Sequence, residues 1–328
     1  MDMKVAEYVI AIAQYGNISK AAEKLYISQS GLNQQLIKLE ATLGVKLFDR
    51  DNRHLQITQA GKIFVTNAME MLRIQRNLTT QLSDLKQDIN GEISLGLTHE
   101  HGIDLFTAIY FDFHTKYPQI KFNLMEKIVA DQYRLLNDGT LDMGVVMLKT
   151  LPQDLQNHFV IEPLYKEDFL LGIPKAHPLA KKAVPIGSGK ALRAIDLRLF
   201  KDELFSLIFE SSTMRQEVLD PLFERCGFHP YIMMETAMNH ALAQMVGEGL
   251  CCTILPHSRV AASKDRDRVA WFRILENPTW SIAMIRRKDY RMSHSVQYLL
   301  SLSKQYGKAV ERQFLTESPG YNKEQNQE

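Results

Sequence analysis

Four side chains in one short stretch, Gln29, Ser30, Asn33 and Gln34, offer hydrogen-bond donors and acceptors without charge. Glutamine and asparagine can bond adenine bidentately, and serine can bond either partner of a base pair. They stand in "SKAAEKLYISQSGLNQQLIKLE", residues 19–40, where two helical patterns are separated by three residues. The first pattern stops at Leu25 and the second restarts at Gln29, with Ser28 as its natural N-cap. Small Ala21 and Ala22 suit a close helix crossing, Leu25 and Ile27 flank the turn, and Leu32, Leu36 and Leu39 form an inner face. Two helices joined this tightly form a helix-turn-helix, whose second helix lies in the major groove with its N-terminal half toward base edges. The competing reading is a solvated face on a small helical domain.

The neighbouring elements must position that helix. Val5, Tyr8, Val9, Ile12 and Ala13 make a 3.6-period stripe ending at Gly16, and Asn17 or Ser19 can cap the next helix. After the second pattern, "LGVKLFDRDNRHLQITQAG" offers two short extended runs around a polar tip at residues 51–54. This looks like a wing, and Arg50, Arg53 and His54 are its available cations for phosphate contacts, which position without specifying. Arg50 could instead pair within the domain with Asp49 or Asp51. Thr58 caps a long helix over 59–87, in which Met71, Ile74, Leu78, Leu82 and Leu85 alternate steps of three and four. So narrow a seam predicts pairing with another helix rather than packing on a broad core; the alternative is a helix laid on its own domain. Asn90-Gly91 ends the segment.

From Glu92 the texture changes to alternating strands and helices. "ISLGLT", "IKFNLME" and "LDMGVVML" read as strands separated by amphipathic helices, a βαβαβ pattern that predicts a mostly parallel sheet with helices on both faces. "EDFLLGIP", "LFSLIFE", "YIMMET", "LCCTILP" and "WSIAMIRR" are further strands. Helices are expected over 213–226, in "MNHALAQMVGEG" and over 293–309, and 307–328 is expected to be a disordered tail.

The chain of 328 residues is long enough for two or three domains and has an ordinary globular composition, 45% apolar and 23% charged, with net charge +1. Residues 1–62 hold eight Lys/Arg against six Asp/Glu, net +2, so nucleic-acid binding must come from placed residues rather than bulk charge. No signal peptide and no apolar run near the ~20 residues of a membrane span are evident. Cys226, Cys251 and Cys252 do not form a disulfide framework. A cytoplasmic location with no membrane partner is expected.

Residues 1–90 resemble the winged helix-turn-helix and linker helix of LysR-type transcriptional regulators, through "AAEKLYISQSGLNQQLIKLEATLGVKLFDR" and "ITQAG". The resemblance continues through "GTLDMGVV", "LLGIPKAHPLA" and "GEGLCCTILP", and covers about residues 1–306. Relatives often carry proline and a small apolar residue at the positions of Ser30 and Gly31, serine at Asn33 and arginine at Gln34, so base preference does not carry over. The resemblance implies a DNA-binding domain over 1–58 and a dimerising linker helix over 59–90. It further implies an effector domain over 91–306, two-lobed and similar to periplasmic solute-binding proteins. Lobe one is expected over 91–165 and 273–306, lobe two over 166–272, with crossover strands near 164–169 and 271–273. A small effector between the lobes would switch DNA binding, the expected assembly is a homotetramer on a dyad-symmetric operator, and RNA polymerase is a further partner.

Thr98, ending "SLGLT", and Ser211, Ser212 and Thr213, after Glu210 in "FESSTMR", each stand before a helix. Opposed helix N-termini rich in hydroxyls suit an anion such as a carboxylate; ordinary N-capping is the competing reading at each. His99 and His101 stand in the first of these turns, as effector contacts, as surface histidines, or as a metal pair without a clear third ligand. Lys127 and Met147 occupy places where family members often touch effector, and Thr236 and His240 are further candidates. Cys251 and Cys252 read as core residues, and a redox switch would need an exposed, activated thiolate.

An enzyme carrying a regulatory winged helix would need a catalytic constellation in 91–306. No nucleophile elbow, complete nucleotide loop or clustered metal ligands occur there, so no catalytic residue, metal or cofactor is expected. "IGSGKAL" at 186–192 ends like a phosphate loop but lacks its first glycine and the Ser/Thr after Lys190, so it reads as a loop insertion. A periplasmic receptor would need the missing signal peptide.

Overall fold

The computed structural model describes residues 2–51, 54–85, 91–149, 155–186, 193–264 and 268–316. Helix α1 (Met3–Tyr15) opens on the Asp2 side chain and closes on Gly16 at φ 57°. Helix α2 (Ile18–Lys24) is capped by Asn17, whose Oδ1 accepts from the Lys20 amide at 3.0 Å, which decides between the two candidate caps. Helix α3 (Gln29–Leu43) starts where Ser28 Oγ accepts from the Gly31 amide at 3.1 Å. The α2–α3 turn carries Tyr26 at φ 55°. Val9, Ile12, Ala21, Ala22, Leu32, Leu36, Leu39, Leu47 and Phe48 form the common core, so the small pair does sit where the helices cross.

Strands β1 (Phe48–Asp51) and β2 (His54–Ile57) form the antiparallel wing. Buried Glu40 fastens it to α3, accepting from the Leu47 and Phe48 amides at 2.8 and 3.2 Å and from Lys46 Nζ at 3.2 Å. Thr58 Oγ1 donates to the Lys46 carbonyl at 2.7 Å and accepts from the Gly61 amide at 3.0 Å, opening helix α4 (Gln59–Leu85). A Cβ at Gly61 would stand 2.1 Å from the Leu47 carbonyl oxygen, so only glycine lets α4 cross the wing there. The first turns of α4 pack on α1 through Ala6, Ile10 and Ala68, and Met71 joins them. Met71 therefore leaves the expected pairing seam. Ile74, Leu78 and Leu82 are each about half exposed (56, 54 and 51%), and the Leu85 side chain lies outside the described residues.

The second half begins with β3 (Gly91–Leu97), α5 (His101–Lys116), β4 (Ile120–Glu126), α6 (Val129–Asn137) and β5 (Met143–Leu148), with β3 parallel to both its neighbours. Strand β6 (Phe159–Pro174) then runs 16 residues through both lobes. Lobe two contains β7 (Val184–Pro185), β8 (Arg193–Ile195), β9 (Leu204–Ile208), a π-helical turn at Arg215–Leu219, α7 (Asp220–Arg225) and β10 (Tyr231–Thr236). It continues with α8 (Asn239–Gly247), β11 (Thr253–Pro256), α9 (His257–Ala262) and β12 (Val269–Ile274). Strand β13 (Thr279–Arg287) returns to lobe one, and α10 (His294–Thr316) closes the fold.

Three expectations are corrected. The sheets are mixed: β3–β4, β3–β5, β9–β10 and β8–β12 are parallel, but β5–β13, β6–β13, β6–β12, β6–β11 and β7–β8 are antiparallel. Helical crossovers enforce parallel pairing only within a lobe; β6 and the β12–β13 pair cross between lobes in opposite directions. β6 changes partners between Asp168, opposite Thr279 on β13, and Phe169, opposite Pro256 on β11, while the return lies beyond β12 rather than at 271–273. Finally, α10 continues to Thr316 instead of fraying at 309: a Cβ at Gly307 would stand 2.3 Å from the Leu164 carbonyl oxygen, so glycine lets the helix lie directly on β6. Glu311 accepts from the Lys166 amide at 3.2 Å, and Phe314 stacks on His257 at 4.4 Å. These contacts with β6 and α9 offset the ordering entropy, which a purely polar tail could not. Residues 317–328 and the loop at 187–192 lie outside the described residues.

Candidate functional site

On α3, Ser28, Gln29, Ser30 and Gln34 are exposed, while Leu32, Leu36, Leu39 and Glu40 are buried. The helix is thus anchored on one side and presents uncharged hydrogen-bonding groups on the other. Ser28 has its Oγ engaged as the cap, with Ser30 Oγ donating to it at 3.4 Å. Asn33 is half-buried, at the border of the outer face. In the wing, the backbones of Arg50 and His54 lie in β1 and β2, but their side chains, and all of Arg53, lie outside the described residues.

In the second half, strand ends of both lobes converge. Asn239, at the start of α8, donates through Nδ2 to Glu100 Oε2 at 2.5 Å, and the Lys149 amide donates to Glu217 Oε2 at 3.0 Å. These contacts join the turn after β3 and the loop after β5 to lobe two. Thr98 is buried, and its Oγ1 has no protein partner among the described residues, so it does not cap α5. The His101 and Gly102 amides donate to the His99 and Thr98 carbonyls, and Glu100 holds φ 62°. Two amides at the start of α5 are therefore already satisfied. In lobe two Ser212 Oγ accepts from the Arg215 amide at 3.2 Å, an ordinary cap, while Glu210 and Ser211 are exposed and Thr213 is half-buried. Buried Arg215 steadies this turn, donating to Asp220, Glu235 and the Ile208 carbonyl at 2.8, 2.6 and 3.0 Å.

His99 is exposed and pairs with Glu126. Lys127 beside it has an exposed side chain, with its amide donating to the Leu97 carbonyl at 2.9 Å. Met147 is half-buried against the main core. Thr236 Oγ1 accepts from the Met238 amide at 3.2 Å, and His240 is exposed.

His101, expected as an effector contact, faces inward. It is buried, with Nε2 2.9 Å from Glu167 Oε2 and 3.2 Å from Ser258 Oγ, and its ring stands edge-on to Trp280 at 5.5 Å. Glu167, fully buried on β6 next to the partner change, also accepts from Trp280 Nε1 at 2.8 Å and from the Ser258 amide at 2.6 Å. Burial alone would raise its carboxyl, but adjacent His101 and the hydrogen bonds from His101, Ser258 and Trp280 hold it down at about 2. Arg259 pairs with Asp104 and lies 3.6 Å from Glu100. This cluster ties α5, β6, β13 and α9 together where the lobes meet. Sequence reasoning missed it, although one signal was present: Glu167 alternates with buried Tyr165 and Phe169, a charge on an inward strand face.

The three thiols are poor thiolates. Burial leads in each case, raising Cys226 to about 11, with Glu276 adding to the rise, and Cys252 to about 12, and it also raises Cys251. Among the described residues no three His, Cys, Asp or Glu converge as metal ligands, and no helix is long and apolar enough to cross a membrane.

A winged helix-turn-helix, a long helix with an exposed apolar seam and a two-lobed α/β domain together define a ligand-responsive DNA-binding regulator. Residues 3–62 match the bacterial regulatory helix-turn-helix of the lysR family, residues 86–308 match the LysR substrate binding domain, and the chain belongs to the LysR family. It is 28% identical over 315 residues to the HTH-type transcriptional regulator YcgK of Bacillus subtilis, covering 93% of this chain and 94% of that one. It is 28% identical over 292 residues to the DNA-binding transcriptional dual regulator OxyR of Escherichia coli, covering 88% and 90%. In fold it is similar to full-length OxyR of Pseudomonas aeruginosa (TM-score 0.66, 23% identity, 93% and 95% covered). It is also similar to full-length CbnR in complex with its target DNA (TM-score 0.56, 23% identity, 94% and 100% covered). The relatives are transcription regulators, and the chain is a regulator rather than an enzyme.

Proposed function

We propose that this regulator reads its operator with the outer face of α3. Gln29, Ser30 and Gln34 contact base edges, Asn33 contacts them from the border of that face, and Ser28, Arg50, Arg53 and His54 approach phosphates. The reading rests on the division of α3: apolar residues and a buried carboxylate fix one side, while in its N-terminal half the other side is exposed, hydrogen-bonding and uncharged. Two copies, joined through Ile74, Leu78 and Leu82 of α4, present two such helices to a dyad-symmetric site, and a homotetramer is the expected assembly. The working division is DNA-binding 1–58, linker 59–90 and effector domain 91–306, in a cytoplasmic protein whose output passes to RNA polymerase.

The effector is a small polar molecule, a carboxylate or other anion, held where the strand ends of the lobes converge. The unpartnered Thr98 hydroxyl supports this placement, and Lys127 and His99 supply cationic or hydrogen-bonding groups near it. Ser211, Thr213 and Thr236 are the lobe-two contacts, Met147 is an apolar wall, and Ser212 and Glu210 shape the turn. An effector that binds one lobe arrangement more tightly shifts the population toward it and changes the spacing of the paired α3 helices. Buried Cys251 and Cys252 do not offer the exposed, activated thiolate that a redox switch would need.

DNase I footprinting on the DNA upstream of its own gene tests the reading, with a panel of small carboxylates added in turn. The expected result is a dyad-symmetric footprint whose outer boundary moves with one class of anion. A Thr98→Val protein should keep the footprint and lose the shift. A footprint insensitive to Gln29→Ala and Gln34→Ala would contradict the DNA reading.

A further inference from the structure

Position 37 breaks the pattern of the α3 outer face. Along α3 the exposed large apolar side chains are Ile37, at 47%, and Leu43 in its last residue, at 43%; Leu43 lies on the side of Leu32 and Leu36, so on the outer face Ile37 stands alone. Single exposed apolar residues are ordinary on protein surfaces, and what sets this one apart is where it stands. At ~100° per residue, Ile37 lies ~20° around the helix from Ser30 and ~60° from Gln34, on the side opposite Leu32, Leu36 and Leu39. Residues 30, 33, 34 and 37 follow the i, i+3, i+4, i+7 spacing with which homeodomain recognition helices read bases. Ile37 sits ~10 Å beyond Ser30 along the axis, about three base steps. A β-branched residue is a poorer helix former than the charged residues that usually fill exposed helical positions. Its stiff χ1 also means that little rotamer freedom is lost on contact.

We infer that Ile37 is a further specificity-determining residue, packing on the 5-methyl group of a thymine in the major groove. The inference rests on the reading of α3 given above. The thymine methyl is the one apolar feature a base edge offers in that groove, and an aliphatic side chain flanked by amides and a hydroxyl is matched to it. The hydrogen-bonding residues choose among donors and acceptors, while Ile37 favours A·T pairs at the far end of the half-site.

The test uses the full-length protein and a duplex pool that it has enriched from a random library, amplified with either dTTP or dUTP. Uracil keeps the pairing and the O4 acceptor and lacks only the methyl group. Wild type should bind the thymine pool about fourfold more tightly than the uracil pool, the worth of roughly one buried methyl. Ile37→Ala should bind the thymine pool about fourfold more weakly than wild type and treat the two pools alike, with an unchanged thermal melt. An Ile37→Ala protein that keeps the wild-type preference for thymine, or a wild type that shows none, overturns the inference. Gln34→Ala, compared on enriched and scrambled pools, separates the two levels. If it loses its preference while Ile37→Ala shows no methyl effect, only the thymine contact fails; if it keeps its preference, the α3 reading fails and the inference with it.

Discussion

Each half of the chain is organised around a buried carboxylate, and the two differ in reach. Glu40 accepts from the amides of Leu47 and Phe48, seven and eight residues ahead, and so fixes the wing to α3. Glu167 gathers His101, Ser258 and Trp280, which are 66, 91 and 113 residues away. The first is a clasp within one small domain. The second lies where β6 changes partners and joins both lobes to the strand that crosses between them. Both are buried charges that stand only because donors surround them, but loss of the first should disarm DNA binding, and loss of the second should loosen the sensor.

The largest expected effect is therefore at Glu167. Glu167→Ala leaves His101, the Trp280 indole and the Ser258 amide without their acceptor, and should destabilise the α/β half by about 3–5 kcal/mol in urea unfolding. The wild-type carboxyl lies near 2 in the folded state against 4.5 when unperturbed, so its contribution is full above about 4.5 and declines as pH falls toward 2. The difference in urea midpoint between wild type and Glu167→Gln should accordingly narrow between pH 5 and pH 3. A constant difference would mean that the carboxylate charge is not what the cluster holds.

Next comes Glu40→Ala, which strands two buried amide donors and should cost about 2–3 kcal/mol, with DNA affinity lost before the α/β half melts. If both halves lost stability together, the clasp would not be local. Phe314→Ala tests the reach of the second region: about 2 kcal/mol, less than for a fully buried phenylalanine because the side chain is only partly buried. Limited proteolysis should then cut more readily near the lobe junction. The smallest effect expected is Ser28→Ala, about 1 kcal/mol from the lost cap, seen as weaker DNA binding with no change in the effector response.

The same contrast explains what could be read from the sequence. The α3 site rests on short-range rules: a serine cap, a pair of alanines at a crossing and apolar spacing of three and four. Those place Gln29, Ser30 and Gln34 outward without knowledge of anything beyond residue 48. The effector half depends on contacts between distant segments. His101 looked like a free histidine in a turn because Glu167, Ser258 and Trp280 are invisible from its neighbourhood. The antiparallel crossover strands were hidden for the same reason, since a βαβ pattern reports pairing only within its own unit. The 307–316 segment reads as polar tail until Gly307, Glu311 and Phe314 are set against β6 and α9. Met71 fits the pairing seam by spacing, yet the seam cannot show that α1 already covers it.

Base reading by the outer face of α3 can be measured by fluorescence anisotropy of the full-length protein on a native operator duplex and a scrambled one. Wild type and Gln29→Ala/Gln34→Ala would be compared across a salt series. The double variant should lose most of its preference for the native duplex while its salt slope stays unchanged, because the phosphate contacts lie elsewhere. An unchanged preference, or a slope that falls with the affinity, would contradict base reading by this face.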